Sequence, residues 1–177
     1  RSWFIMNIEV LMLSAANKEN FMVRQGGATQ DEILALEKYY KITLPDDYRN
    51  FLHKFGFVAW FGDYICGLVE EKTKFGKTLN VYKKTDYHHD LYNRTGFKFV
   101  STSGVVINKY DGGGYYFLFS QESERAGEVG LFLTETYGQE VSKFKSFTDY
   151  LSFLVTGSPD PELVDVDYDK IMDIIED

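Results

Sequence analysis

Apolar residues recur every three to four positions from Ile33 through Leu36 to Tyr40, with Leu34 beside them, and again at Tyr48, Phe51, Leu52 and Phe55. That spacing predicts two short amphipathic helices. Between them Ile42-Thr43-Leu44 breaks the helical period, and Pro45 pushes Leu44 into an extended conformation while suiting the first turn of a new helix. Thr29 followed by Glu32 has the form of a capping box for the first helix. Asp46 and Asp47 sit beside the positive end of the second helix dipole, and Gly56 supplies its stop.

The rest of the chain switches period. Phe57 to Leu68 reads as one or two strands with a turn at Gly62-Asp63, and residues 69–78 read as a polar loop. Leu79 to Asn93 has a loose helical period. Phe97 to Thr102, Val105 to Tyr110, Tyr115 to Ser120, Val129 to Thr136 and Glu140 to Phe144 carry β-branched or aromatic residues between Gly, Ser and Asp, which predicts strands of an antiparallel meander. Ser146 caps a helix carrying Phe147, Tyr150, Leu151 and Leu154, ended by Gly157-Ser158-Pro159. A further helix is expected over residues 3–16, a short extended piece at Phe21-Met22-Val23, and helix from Leu163 or later in the tail. The expected fold class is α+β: a central, mostly antiparallel sheet of five to six strands flanked by N-terminal helices and a C-terminal helix. Residues 1–158 are expected to form one domain and 159–177 an acidic tail. Met6 is read as the natural start, with residues 1–5 foreign to the protein.

Composition narrows the function classes. The chain has 177 residues, enough for one core, and a 17% aromatic share that suits sheets and contact faces. A single cysteine, Cys66, excludes an internal disulfide and fits a reducing cytoplasm. Cys66 lies in an apolar run and reads as core, not as a nucleophile. No apolar run approaches the length of a membrane span. Of the formal charge of −8, the segment Asp160 to Asp177 carries −7, with eight acids against Lys170, so the remainder is near neutral. Nucleic acid is therefore not the expected partner. Between Lys72 and Lys98 seven bases face only Asp86 and Asp90, which reads as a solvated face that docks the acidic tail.

Chemistry-bearing motifs are few. Asp111-Gly112-Gly113-Gly114 lies between two expected strands, so a hairpin turn is favoured over a phosphate loop, which needs a helix after it. Asp165, Asp167, Asp169, Asp173 and Glu176 fall at calcium-loop positions 1, 3, 5, 9 and 12, but Lys170 stands where the loop needs Gly. His88 and His89 beside Asp86 and Asp90 give a metal-dependent enzyme as the reading from another class. Neighbouring helical residues point apart and no second His/Cys cluster accompanies them.

The order Glu32-Ile33, Leu36-Glu37, Ile42, Leu44-Pro45, Tyr48, Phe51-Leu52, then Phe61-Gly62 and Gly67, then Asp111 to Phe117, then Phe147 to Leu151, resembles the SUKH superfamily over roughly residues 15–156. The resemblance implies a sheet flanked by helices and no catalysis. It implies a protein-binding module, since bacterial members are mostly immunity proteins encoded beside toxins, and a yeast relative regulates cell-wall glucan synthesis. The expectation that follows is a cytoplasmic immunity protein, without cofactor or metal, that neutralises a cognate nuclease or deaminase toxin through that toxin's basic cleft, acting as a monomer or weak homodimer. A regulatory scaffold is the alternative. The expected partner-binding residues are Asp63, Tyr64, Asp111, Tyr115, Asp165, Asp167 and Asp169, with specificity in the Val69 to Phe97 segment and the tail.

Overall fold

A computed structural model describes residues 7–61, 63–74, 76–78, 80–95 and 103–176. The opening helix α1 (Ile8–Ala15) begins at Asn7, whose side chain accepts from Val10 N at 2.9 Å. Strand β1 (Met22–Val23) follows, then α2 (Gln30–Tyr40) and α3 (Asp46–Phe55). The expected capping box is formed: Thr29 Oγ1 accepts from Glu32 N at 3.1 Å, and Thr29 N donates to Glu32 Oε1 at 2.9 Å. Gly27, at φ +65°, lets the entry to α2 press on the end of α3; a Cβ there would stand 2.0 Å from the His53 carbonyl oxygen. Helix α2 ends on Lys41 in the left-handed conformation, and α3 ends on Gly56 at φ +74°, as expected.

Strands β2 (Val58–Trp60) and β3 (Asp63–Ile65) complete a three-stranded antiparallel sheet in the order β1-β2-β3. Residues 69–78, expected to be loop, contain a two-stranded hairpin, β4 (Glu71–Thr73) and β5 (Gly76–Thr78). Its charges masked the strand character carried by Thr73 and Thr78. The buried Thr78 hydroxyl accepts from Glu71 N, which fixes the register. Helix α4 (Val81–Thr95) follows Asn80, whose side chain accepts from Lys83 N. The strand expected at 97–102 lies outside the described residues.

The main sheet has five antiparallel strands in the order β10-β9-β8-β7-β6, with β6 (Gly104–Tyr110), β7 (Gly114–Phe119), β8 (Val129–Leu133), β9 (Glu140–Phe144) and β10 (Glu162–Leu163). Residues 134–136, expected to extend β8, form a 3-10 turn instead. The Gly-rich run is a hairpin turn between β6 and β7, with Gly113 at φ +91° and its N–H on the Tyr110 carbonyl. Helix α5 (Phe147–Thr156) starts at Ser146, which accepts from Asp149 N. The tail does not run free. Its first part is the edge strand β10 on β9, and it ends in α6 (Tyr168–Glu176).

Alternation along β7 divides the core between the two sheet faces. Leu118 and Tyr116 face the main core with α1, α2, α3 and α5, whereas Tyr115, Phe117 and Phe119 form a second cluster with Val106, Leu91 of α4 and Phe132. In the main core Tyr48 and Tyr150 are fully buried. Tyr48 meets the Phe147 ring edge-on at 4.9 Å and donates its hydroxyl to the Cys66 carbonyl at 2.8 Å. The β6–β7 register skips Ile107, whose carbonyl accepts from Cys66 N, so this irregularity ties the small sheet to the large one.

Candidate partner-binding surface

The seven residues expected to contact a partner fall into two groups at opposite edges of the main sheet. The first group is at the β6 edge. Asp63 and Tyr64 begin β3 and are half-buried. Asp63 accepts from its neighbour's N–H at 2.8 Å and from Asn108 Nδ2 at 3.3 Å, and Asn108 Nδ2 also donates to the Tyr150 hydroxyl at 2.9 Å. Burial pushes the Asp63 carboxyl above the usual carboxylate range, against the pull of these donors. Asp111 stands exposed on the β6–β7 turn, with Lys109 Nζ 3.8 Å away. Tyr115 is in this neighbourhood but not on the surface. It is 3% exposed, with the His88 ring of α4 at 3.9 Å and the Phe132 ring stacked at 5.5 Å. Its ring anchors α4 to the sheet and is not presented to solvent.

The second group, Asp165, Asp167 and Asp169, lies in the tail, and all three are exposed. The chain here is fastened at several points. Glu162 pairs with Lys143 and Leu163 with Ser142, and Val164 N donates to the Val141 carbonyl. The Gln139 side chain grips the Asp167 backbone twice, donating to its carbonyl at 2.8 Å and accepting from its N–H at 2.7 Å. The Asp167 side chain then accepts from Lys170 N and starts α6. Sequence reasoning missed Gln139; its only signal was a polar side chain opening a strand. Helix α6 carries Tyr168, Met172 and Ile175 exposed among acids, and Leu163 is 84% exposed. With strands about 4.8 Å apart, the two groups are separated by roughly 19 Å across the sheet. Among the described residues no ion pair joins the tail to the basic residues of β4, β5 and α4, where the sequence led us to expect it to dock.

The alternative chemistries can be placed as well. The calcium-loop residues do not form a loop: Asp165 lies just past β10, Asp167 caps α6, and Asp169, Asp173 and Glu176 ride on that helix. Among the described residues no group of three or more His, Cys, Asp or Glu side chains could hold a metal ion. His88 and His89 diverge as adjacent helical residues must, His88 toward Tyr115 and His89 toward the edge of the Tyr40 ring. Cys66 is fully buried, and burial pushes its thiol up to about 12, which denies it thiolate character at neutral pH.

Burial, the Lys84 charge and His89 hold the His88 imidazole down at about 4. An unfolded imidazole titrates near 6.5, so the unfolded chain takes up a proton that the folded chain refuses. The stability from a neutral His88 is complete above about pH 6.5 and is lost as pH falls toward 4. We expect a loss on the order of 2 kcal/mol across that window, read by urea denaturation at each pH, and a flattened slope in His88→Phe.

A family model described as SMI1 / KNR4 family (SUKH-1) matches residues 27–152. The chain belongs to this family. The match runs from the glycine turn before α2 to the middle of α5, so it contains β2 to β9 and leaves α1, β10 and α6 outside. No curated protein matches the chain. Both groups of this SUKH-1 chain can thus be sorted: the Asp63–Asp111 group sits on family scaffold, and the acidic tail is an addition to it. Among the described residues no helix is long and apolar enough to cross a membrane.

Proposed function

We propose that this SUKH-1 chain is a non-catalytic binding module, a cytoplasmic immunity protein that blocks a cognate toxin of nuclease or deaminase type. It acts as a monomer or weak homodimer. The observation that carries the reading is the fastening of the acidic segment. A free tail of this charge would lose much conformational entropy on binding, whereas β10 and the Gln139 clamp hold Asp165, Asp167 and Asp169 in place beforehand. Fixed carboxylates can occupy the phosphate positions of a basic cleft and speed encounter, and Tyr168, Met172 and Leu163 beside them supply apolar contact.

The test is co-expression with the product of the neighbouring gene. Relief of that product's toxicity and co-purification of the two chains are the expected results. The triple variant Asp165→Lys, Asp167→Asn, Asp169→Lys should fold normally, since all three side chains are exposed and asparagine keeps the acceptor for Lys170 N, and should associate about 10 to 100 times more slowly at low salt. Undiminished toxicity with no complex rejects the reading. An isolated gene with no such neighbour favours the regulatory scaffold.

A further inference from the structure

Two cavities meet at the β6 edge. One, of about 310 Å³, is walled by Trp60 and Tyr64 on β2 and β3 and by Lys77 on β5. The other, of about 490 Å³, is walled by Tyr87 and His88 on α4 and by Tyr110 and Gly113 at the β6–β7 turn. Lys84 of α4 and Lys109 of β6 line both. These two lysines are thus shared by cavities that each carry aromatic rings, and one further lysine lines each, Lys77 in the first and Lys83, paired with Glu70, in the second.

Their charges are poorly matched by the protein itself. Lys84 is half-buried, yet among the described residues no carboxylate lies within ion-pair distance of it. Lys109 has only the exposed Asp111 at 3.8 Å. Loss of water, then the nearness of Lys109, makes the Lys84 ammonium easier to deprotonate, and Lys84 in turn repels a proton from His88. The one acid in the walls, Asp63, is half-buried and engaged by Asn108 and by a backbone N–H. A partly desolvated cation without a counter-charge is costly and lowers the cost of bringing an anion in. His88 Nδ1 is buried without a hydrogen-bond partner in the same wall.

We propose that this double cavity binds a nucleotide, its phosphates on Lys84 and Lys109 and its base on an aromatic wall. Two lysines shared between cavities that carry rings fit a phosphate group joined to a planar one. An acidic polypeptide would call for cations spaced along a groove. Tyr87 is 58% and Tyr110 40% exposed, so both offer ring faces for stacking, and together the cavities have the size of a small-molecule site. The chain's net negative charge disfavours a nucleic-acid polymer, which needs an extended basic surface, but not a single nucleotide. The site overlaps the Asp63–Asp111 group in space but does not rest on the toxin-binding reading, because its test uses small ligands alone.

Isothermal titration of the full chain with ATP, inorganic phosphate and poly-glutamate at low salt tests it. ATP should bind with a Kd below about 100 μM, with phosphate at least tenfold weaker and poly-glutamate no competitor. Lys84→Gln and Lys109→Gln should each weaken ATP about tenfold, the loss of one charge-assisted contact. Thermal melts keep the result interpretable, because removing an unpaired half-buried ammonium should not lower the Tm. Should Lys84→Gln melt early, the exposed Tyr87→Ala carries the same test and should weaken ATP but not phosphate. No binding of ATP, an affinity unchanged by either lysine variant, phosphate binding as tightly as ATP, or displacement of ATP by poly-glutamate would overturn the proposal.

Discussion

Tyr48→Ala is expected to lower the unfolding free energy by about 3–5 kcal/mol, the range for truncating a buried aromatic side chain to alanine. The ring is fully buried between Phe51, at 6.0 Å, and Phe147, at 4.9 Å, so its removal leaves a cavity where α3 meets α5. The Cys66 carbonyl also loses the hydroxyl that donates to it at 2.8 Å. Tyr48→Phe separates the two effects: it keeps the ring and should cost only about 1–2 kcal/mol, the penalty of one buried unsatisfied carbonyl. Urea denaturation reads both as a fall in midpoint at constant slope. For a domain whose total stability is on the order of 5–15 kcal/mol, the alanine variant should be marginal. A cost under about 1 kcal/mol would mean that α3 and α5 are not packed through this ring.

Glu37→Ala is the second large effect, at about 3 kcal/mol. Glu37 is 9% exposed, and both carboxylate oxygens are occupied. Oε2 accepts from Leu44 N at 2.8 Å, and Oε1 accepts from Arg49 Nη2 at 2.5 Å. One side chain thus joins the end of α2, the extended residue before Pro45, and the second turn of α3. Alanine would leave the buried Leu44 N–H and the Arg49 guanidinium without their acceptor, whose Nε is already unpartnered. Glu37→Gln retains an acceptor and should cost about 1 kcal/mol. Equal losses in the two variants would show that the carboxylate charge and its second acceptor oxygen, which glutamine lacks at the same size, decide at this position.

These two residues mark what could be read from the sequence. Tyr48 was predictable as core because it shares a helical stripe with Phe51, Leu52 and Phe55, and hydrophobic periodicity is a local signal. Glu37 was not, because a glutamate in a last helical turn looks solvent-facing, and only the corner brings Leu44 and Arg49 to it. The same contrast separates α2, α3, α5 and the β6–β9 meander, whose caps and turns are encoded within a few residues, from the β4–β5 hairpin and β10, which carry little apolar alternation. Strand β10 exists because Leu163 and Glu162 find Ser142 and Lys143, about twenty residues back. The candidate surface was half legible. The charge of the tail was plain, but the Gln139 clamp that positions it is a tertiary contact. Tyr115 was read as a partner-binding residue because strand alternation cannot say which face a helix covers; α4 covers that one.

Amide hydrogen exchange of the chain, alone and with the neighbouring gene's product, tests most directly whether a preformed surface does the binding. The account predicts slow exchange in β10 before the partner is added, and new protection in its presence confined to residues 162–176 and the Asp63–Asp111 neighbourhood, with α3 and α5 unchanged. Fast exchange at Val164 and Asp167 in the free chain, or no new protection with the partner present, would contradict it.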